Sequence, residues 1–291
     1  SGQLNFIEYR PLEGFVFAVT PFNFTAIASN LNMAPALMGN TTIWKPSRTA
    51  LFSNYFLMQI YKEAGLPDGV LNFLPGQGST IGDIVLSHKD LGGLHFTGSN
   101  ETFNSLWQQI SNNLRNYRSY PRIVGETGGK DFIFVHNSAD PLEVASSIVR
   151  GAFEFQGQKC SAASRGYIPK SLWNEIKQHL LDQISQIKVG GVEDFSNFVN
   201  AVIDEPSFDK IMSYINFAKQ SNEAEILIGG EGDKSVGYFV KPTVIVTTNP
   251  YFKTMQEEIF GPVFSIFVYD DDKYQETLEI CNNTSPYGLT G

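Results

Sequence analysis

The segment Phe155-Gln156-Gly157-Gln158-Lys159-Cys160-Ser161 presents a thiol just after a helical pattern stops at glycine, among small and polar residues. A lone cysteine is often an inert core residue. Here the polar neighbours and Lys159 suit a thiolate, the form that attacks carbonyl carbon. Cys281 ends an amphipathic pattern beside Ile280 and reads as packing. Two glycine-rich stretches could cradle a phosphate. Gly76-Gln77-Gly78-Ser79-Thr80-Ile81-Gly82 is one residue out of step with G-x-G-x-x-G and lacks a clear acidic partner about 20 positions on, so it reads as a structural turn. The stretch Leu94-His95-Phe96-Thr97-Gly98-Ser99 runs from a buried strand through Gly-Ser into a helix. Free N–H groups there would face a pyrophosphate, or Ser99 would simply cap an ordinary helix. The four histidines, His88, His95, His136 and His179, have no metal-ligand spacing, so no metal site is expected.

These groups need a scaffold large enough to hold them. The chain has 291 residues, 42% of them hydrophobic, with 23 Phe, 12 Tyr and 3 Trp. That length suggests about two domains, each with its own core. Lys and Arg total 21 against 30 Asp and Glu, for a net charge of −9. No basic stripe is present, which argues against nucleic acid as a partner. No apolar run is long enough for a transmembrane helix, and residues 1–10 carry no recognisable targeting signal. Two cysteines 121 positions apart fit a reducing compartment.

Apolar runs of strand length at 14–19, 42–44, 70–74 and 94–96 alternate with helical patterns at 51–64 and 104–114. This is the rhythm of βαβ units on a parallel sheet. A second α/β group has strand patterns at 132–135, 166–168, 226–228, 238–246 and 263–269. Helical patterns at 142–155, 172–187, 208–220 and 272–281 intervene. The expected division is a domain over 1–125 and another over 126–291.

Six motifs occur in register: Thr20-Pro21-Phe22-Asn23-Phe24, Trp44-Lys45-Pro46-Ser47, Phe96-Thr97-Gly98-Ser99, Glu126-Thr127-Gly128-Gly129-Lys130, Gly157-Gln158-Lys159-Cys160 and Glu257-Glu258-Ile259-Phe260-Gly261-Pro262. Together they resemble the aldehyde dehydrogenase superfamily. Stretches 34–40, 153–162 and 235–240 resemble its Δ1-pyrroline-5-carboxylate (glutamate-γ-semialdehyde) branch. The resemblance implies a Rossmann-like parallel-sheet NAD-binding domain and an α/β catalytic thiol domain, both incomplete, because relatives extend beyond this chain at both ends.

The resemblance also implies roles. Cys160 is the nucleophile, Asn23 the oxyanion donor and Glu126 the general base. Lys45 is placed on the adenosine ribose, Gly98 and Ser99 at the pyrophosphate, and Thr20 near the nicotinamide. Glu258 is placed on the nicotinamide ribose with Phe260 packed nearby. Lys159, Phe24 and Ser161 are implied substrate contacts, Lys159 favouring a carboxylated aldehyde. The cofactor is NAD, and Arg48, three residues after Lys45, suggests some tolerance of NADP. Two further departures stand out: Phe103 replaces the second glycine of the cofactor motif, and Asp131 replaces a common Asn. The implied product is L-glutamate from proline degradation, the implied location the mitochondrial matrix and the implied assembly a homodimer. A silent nucleotide-binding or interaction protein, or a dehydrogenase for another aldehyde, stays open, as does a cytoplasmic location.

Overall fold

A computed structural model describes residues 2–291. Ser1, the first residue of the segment searched for a targeting signal, lies outside the described residues. The chain forms two compact units, residues 1–127 and 128–291.

The first unit is built as β1 (Phe15–Val19), α1 (Thr25–Leu37), β2 (Thr42–Lys45), α2 (Leu51–Glu63), β3 (Leu71–Phe73), α3 (Gly78–Leu86), β4 (Leu91–Thr97), α4 (Asn100–Asn112) and β5 (Arg122–Glu126). Its sheet has the order β3-β2-β1-β4-β5, parallel throughout. Strands covered on both faces read as nearly unbroken apolar runs, which is how β1 and β4 look. One core packs Phe17, Leu94 and Phe96 against Val85, Leu86, Leu106 and Ile110 from α3 and α4. Another packs Trp44 and Leu71 against Ala28 and Met58 from α1 and α2. The strand order reverses between β1 and β4, and in such sheets ligands bind outside the carboxyl ends at that point.

The second unit contains β6 (Asp131–Phe134), α5 (Pro141–Phe153), β7 (Ala163–Pro169), α6 (Lys170–Ser185), α7 (Glu205–Lys219), β8 (Ala224–Ile228), β9 (Gly232–Asp233), β10 (Phe239–Val240), β11 (Thr243–Thr247), α8 (Lys253–Gln256), β12 (Val263–Tyr269) and α9 (Tyr274–Thr284). The order is β6-β7-β12-β11-β8, with β9 and β10 as a separate antiparallel pair. Only β8 runs against its neighbour in the five-stranded sheet. One face of the core is built on Ile148, Phe153, Ile176 and Phe264. The other is built on Tyr167, Ile211, Ile215 and Ile245.

Several local expectations change. The single strand expected over 238–246 is two, β10 and β11, because Pro242 lacks the N–H a continuous ladder requires. The glycine-rich stretch expected as a turn instead starts α3 at Gly78. α1 and β5 had no clear signal: α1 carries two asparagines and Pro35, and β5 is largely exposed.

Candidate active site

In the first unit, the chemistry-bearing residues follow the carboxyl ends of the strands. Thr20 leaves β1 and is tied to β2: its N–H donates to Lys45 O at 3.2 Å. Its Oγ1 accepts from Trp44 Nε1 at 2.9 Å. Asn23 is only 7% exposed, in the turn before α1, and Phe24 is the N-cap residue of that helix. Gly98 follows β4, and its N–H donates to Glu126 O at 3.2 Å across the β4–β5 pair. A Cβ at Gly98 would come within 2.7 Å of the Phe96 ring. Ser99 caps α4, its Oγ accepting from Thr102 N at 3.2 Å. Glu126 ends β5 with an exposed side chain.

Lys45 ends β2 and lines a cleft of about 380 Å³ with Gly78, Ser79, Thr102 and Val19. The starts of α3 and α4 therefore both reach this cleft, and their N–H groups favour anions there. A Cβ at Gly78 would sit 3.7 Å from Lys45 Cε. The glycine-rich run set aside in the sequence thus belongs to the same cleft as Lys45. Partial burial lowers the Lys45 pKa, and the nearby Arg48 charge lowers it further. The half-buried ammonium, two helix starts and a glycine-lined wall fit a nucleotide. Phe103 is accommodated by stacking on Phe96, with ring centres 5.5 Å apart, and by Gly125, where any side chain would meet its ring.

In the second unit, the key residues precede the amino ends of strands. Gly128-Gly129-Lys130 lead into β6, Cys160-Ser161 into β7, and Glu258-Ile259-Phe260 toward β12. Gly129 N–H donates to Glu258 Oε1 at 3.1 Å. A Cβ at Gly128 would collide with the same carboxylate, and one at Gly129 with the Cys160 carbonyl. The two glycines let the first segment lie directly against the other two. Burial raises the Glu258 pKa, opposed by the Gly129 hydrogen bond and by Lys210 and Lys130. Lys210 Nζ also donates to the Glu258 carbonyl at 3.0 Å, holding its backbone to α7.

Cys160 is half-buried, Ser161 exposed and Cys281 buried in the core. The turn before Cys160 is left-handed at three successive residues, with φ of 55° at Phe155, 58° at Gln156 and 64° at Gly157. Phe260 is also left-handed, with φ of 62°. Lys159 forms an ion pair with Glu154, which in turn pairs with Arg150 at 3.2 Å. The Lys159 hydrogen bond holds the Glu154 carboxyl below its ordinary range. Asp131 is buried, and its Oδ1 accepts from Thr290 N at 2.8 Å, fixing the end of the chain. Lys130, Gln156, Gln158 and Lys210 are structural neighbours of the site that sequence reasoning missed. The partners of Gln156, Gln158 and Lys210 lie 44 to 48 positions away in sequence, and only the buried amine of Lys130, inside a glycine motif, had a local cue. Among the described residues no cluster suited to a metal ion occurs, and no helix is long and apolar enough to cross a membrane.

The aldehyde dehydrogenase family matches the chain over residues 1–291. The chain belongs to the aldehyde dehydrogenase family. Among curated aldehyde dehydrogenases, it is 54% identical to the mitochondrial Δ1-pyrroline-5-carboxylate dehydrogenase of Dictyostelium discoideum, over all of this chain and 52% of that protein. It is 52% identical to the human mitochondrial enzyme of the same name, over 99% of this chain and 51% of that one. The Mycobacterium tuberculosis Δ1-pyrroline-5-carboxylate dehydrogenase solved with NAD matches with a TM-score of 0.93 and 48% identity, over 98% of this chain and 52% of that one. The chain spans about half the length of the curated relatives it matches.

Proposed function

We propose that this chain carries the NAD-dependent oxidation of L-glutamate γ-semialdehyde, formed from Δ1-pyrroline-5-carboxylate, to L-glutamate in proline degradation. The observation that carries this reading is identity of 52–54% across essentially the whole chain to enzymes of that name, and the Cys160 thiol lies half-buried after a left-handed turn. In this reading the unit of residues 1–127 supplies the cofactor site and that of 128–291 the thiol. Mitochondrial relatives support a mitochondrial matrix location, and a homodimer belongs to the same reading.

Lys45, Gly98, Ser99 and Thr20 would hold the dinucleotide, and Glu258 and Phe260 would serve its nicotinamide riboside. Bound NAD supplies the hydride acceptor. The Cys160 thiolate adds to the aldehyde carbon, forming a C–S bond, while the Asn23 amide and the Cys160 N–H donate to the resulting oxyanion. Loss of hydride from that carbon leaves a thioester on Cys160. Glu126 takes a proton from water, whose oxygen attacks the thioester carbon, and collapse of that adduct breaks the C–S bond, releasing the acid and the Cys160 thiolate. Lys159 faces the substrate carboxylate, with Phe24 and Ser161 as further contacts.

NADH formation from pyrroline-5-carboxylate, beside a neutral aldehyde and Cys160→Ser, tests the reading. Turnover lost in Cys160→Ser supports it. Saturable NAD binding without NADH formation overturns it in favour of a silent nucleotide-binding protein, and turnover of the neutral aldehyde alone points to another substrate.

A further inference from the structure

The turn that carries Cys160 runs against the backbone preferences of its own residues. Phe and Gln rarely adopt positive φ, yet Phe155 and Gln156 do so in succession, followed by Gly157. Such conformations persist only where the surroundings over-determine them. Gly157 supplies one constraint, since any side chain there would strike the Gly261 carbonyl. Two glutamine side chains supply the others.

Gln156 and Gln158 are only 5% and 3% exposed. Gln156 Oε1 accepts from Asn200 N at 3.1 Å, and its Nε2 donates to Ala201 O at 3.4 Å. Gln158 Oε1 accepts from Ile203 N at 2.9 Å. The receiving strip is itself fixed. Val199 and Val202 are buried, and Val202 N–H donates to Tyr238 O at 2.9 Å. Asn200 Nδ2 donates to Gly190 O at 2.9 Å. The two amides therefore copy, with side chains, the backbone pairing a neighbouring strand would make.

We infer that Gln156 and Gln158 are positioning residues for the Cys160 thiol, clamping its turn to residues 200–203. The inference rests on the reading of Cys160 as nucleophile. The clamp fixes the turn whose backbone would otherwise relax to negative φ just before the thiol. A shift of the nucleophile by about 1 Å costs about 100-fold in rate.

Gln158→Met keeps the volume and removes the acceptor, whereas Gln158→Glu keeps an acceptor oxygen. Gln158→Met should slow turnover by roughly 10- to 100-fold while leaving the KM for NAD unchanged. Gln158→Glu should regain most of the lost turnover. Hydrogen exchange should quicken at residues 155–162 and 200–203 and nowhere else. Unchanged turnover, or unchanged exchange at those residues, overturns the inference. Gln156→Met repeats the test through the other anchor. Should neither variant fold, exchange in the unmodified protein decides: slow amides at Asn200 and Ile203 support the clamp, and fast ones overturn it. An unmodified chain that forms no NADH refutes the functional reading before any variant is made.

Discussion

Replacing Lys130 by Met should stabilise the protein near neutral pH and stabilise it less as the pH rises. Lys130 is 1% exposed, and among the described residues its Nζ has no hydrogen-bond partner. Burial pushes its ammonium from 10.5 down to about 7, assisted by Arg165 and opposed by Glu258, Asp131 and Glu257. Between those two values the unfolded chain holds a proton that the folded chain has given up. Folding therefore grows more favourable with rising pH across that window, and the contribution is flat below it. From about pH 7 to about pH 9, those two pKa values integrate to about 2 kcal/mol. Met has nearly the same volume and no proton, so it escapes the cost of stripping the ammonium. Urea unfolding of both proteins at several pH values within the window gives the comparison. The gain from Lys130→Met should be largest near pH 7 and smaller by about 2 kcal/mol near pH 9. A gain that does not vary with pH would refute a buried, mostly neutral amine.

The remaining expectations concern Lys159, Arg48 and the backbone turn before Cys160. Lys159→Met should raise KM for glutamate semialdehyde at least about 10-fold more than for a neutral aldehyde, a difference of about 1.4 kcal/mol; equal effects would mean that Lys159 serves only its ion pair with Glu154. Arg48→Glu should lower kcat/KM with NADP relative to NAD, because Arg48 already adds its charge to the surroundings of Lys45; an unaltered ratio would remove Arg48 from cofactor choice. Gly157→Ala should cost about 2 kcal/mol or more in thermal or urea unfolding, since the added Cβ meets the Gly261 carbonyl at a positive φ. A neutral result would mean that the two turns separate without penalty.

The parts of the fold legible in the sequence share one physical cause. β1, β4 and β12 are buried along nearly their whole length, so their apolar runs are almost unbroken. α5 and α7 begin at capping aspartates, Asp140 and Asp204, each followed by proline in the first turn. α1 lacks a side-chain cap and contains Pro35, so only tertiary burial of Ala28 and Leu31 makes it a helix. β5 pairs with β4 while exposing most of its side chains, leaving no alternation to detect. The thiol had a local signature in its small-residue turn. The Glu258 site did not, because the hydrogen bond that orients it joins residues 129 positions apart. For Asn23, Glu126 and Glu258, the proposed roles rest on motif resemblance, because periodicity and composition say nothing of them.

Local rules fail most clearly where the candidate chemistry sits. Among the described residues, the non-glycine positions with positive φ are Phe155, Gln156 and Phe260. Two precede Cys160 within its turn, and the third follows Glu258. A chain folding for stability alone would place glycine at such positions, as it does at Gly65 and Gly69 after α2. Keeping Phe and Gln there gives up backbone ease for side-chain contacts that glycine cannot make: Gln156 reaches Asn200 and Ala201, and Phe260 lines the narrow cavity shared by Lys159 and Glu258. The strain and the site are therefore one feature, and relieving the first by Gln156→Gly should loosen the second even though the backbone itself becomes easier to fold.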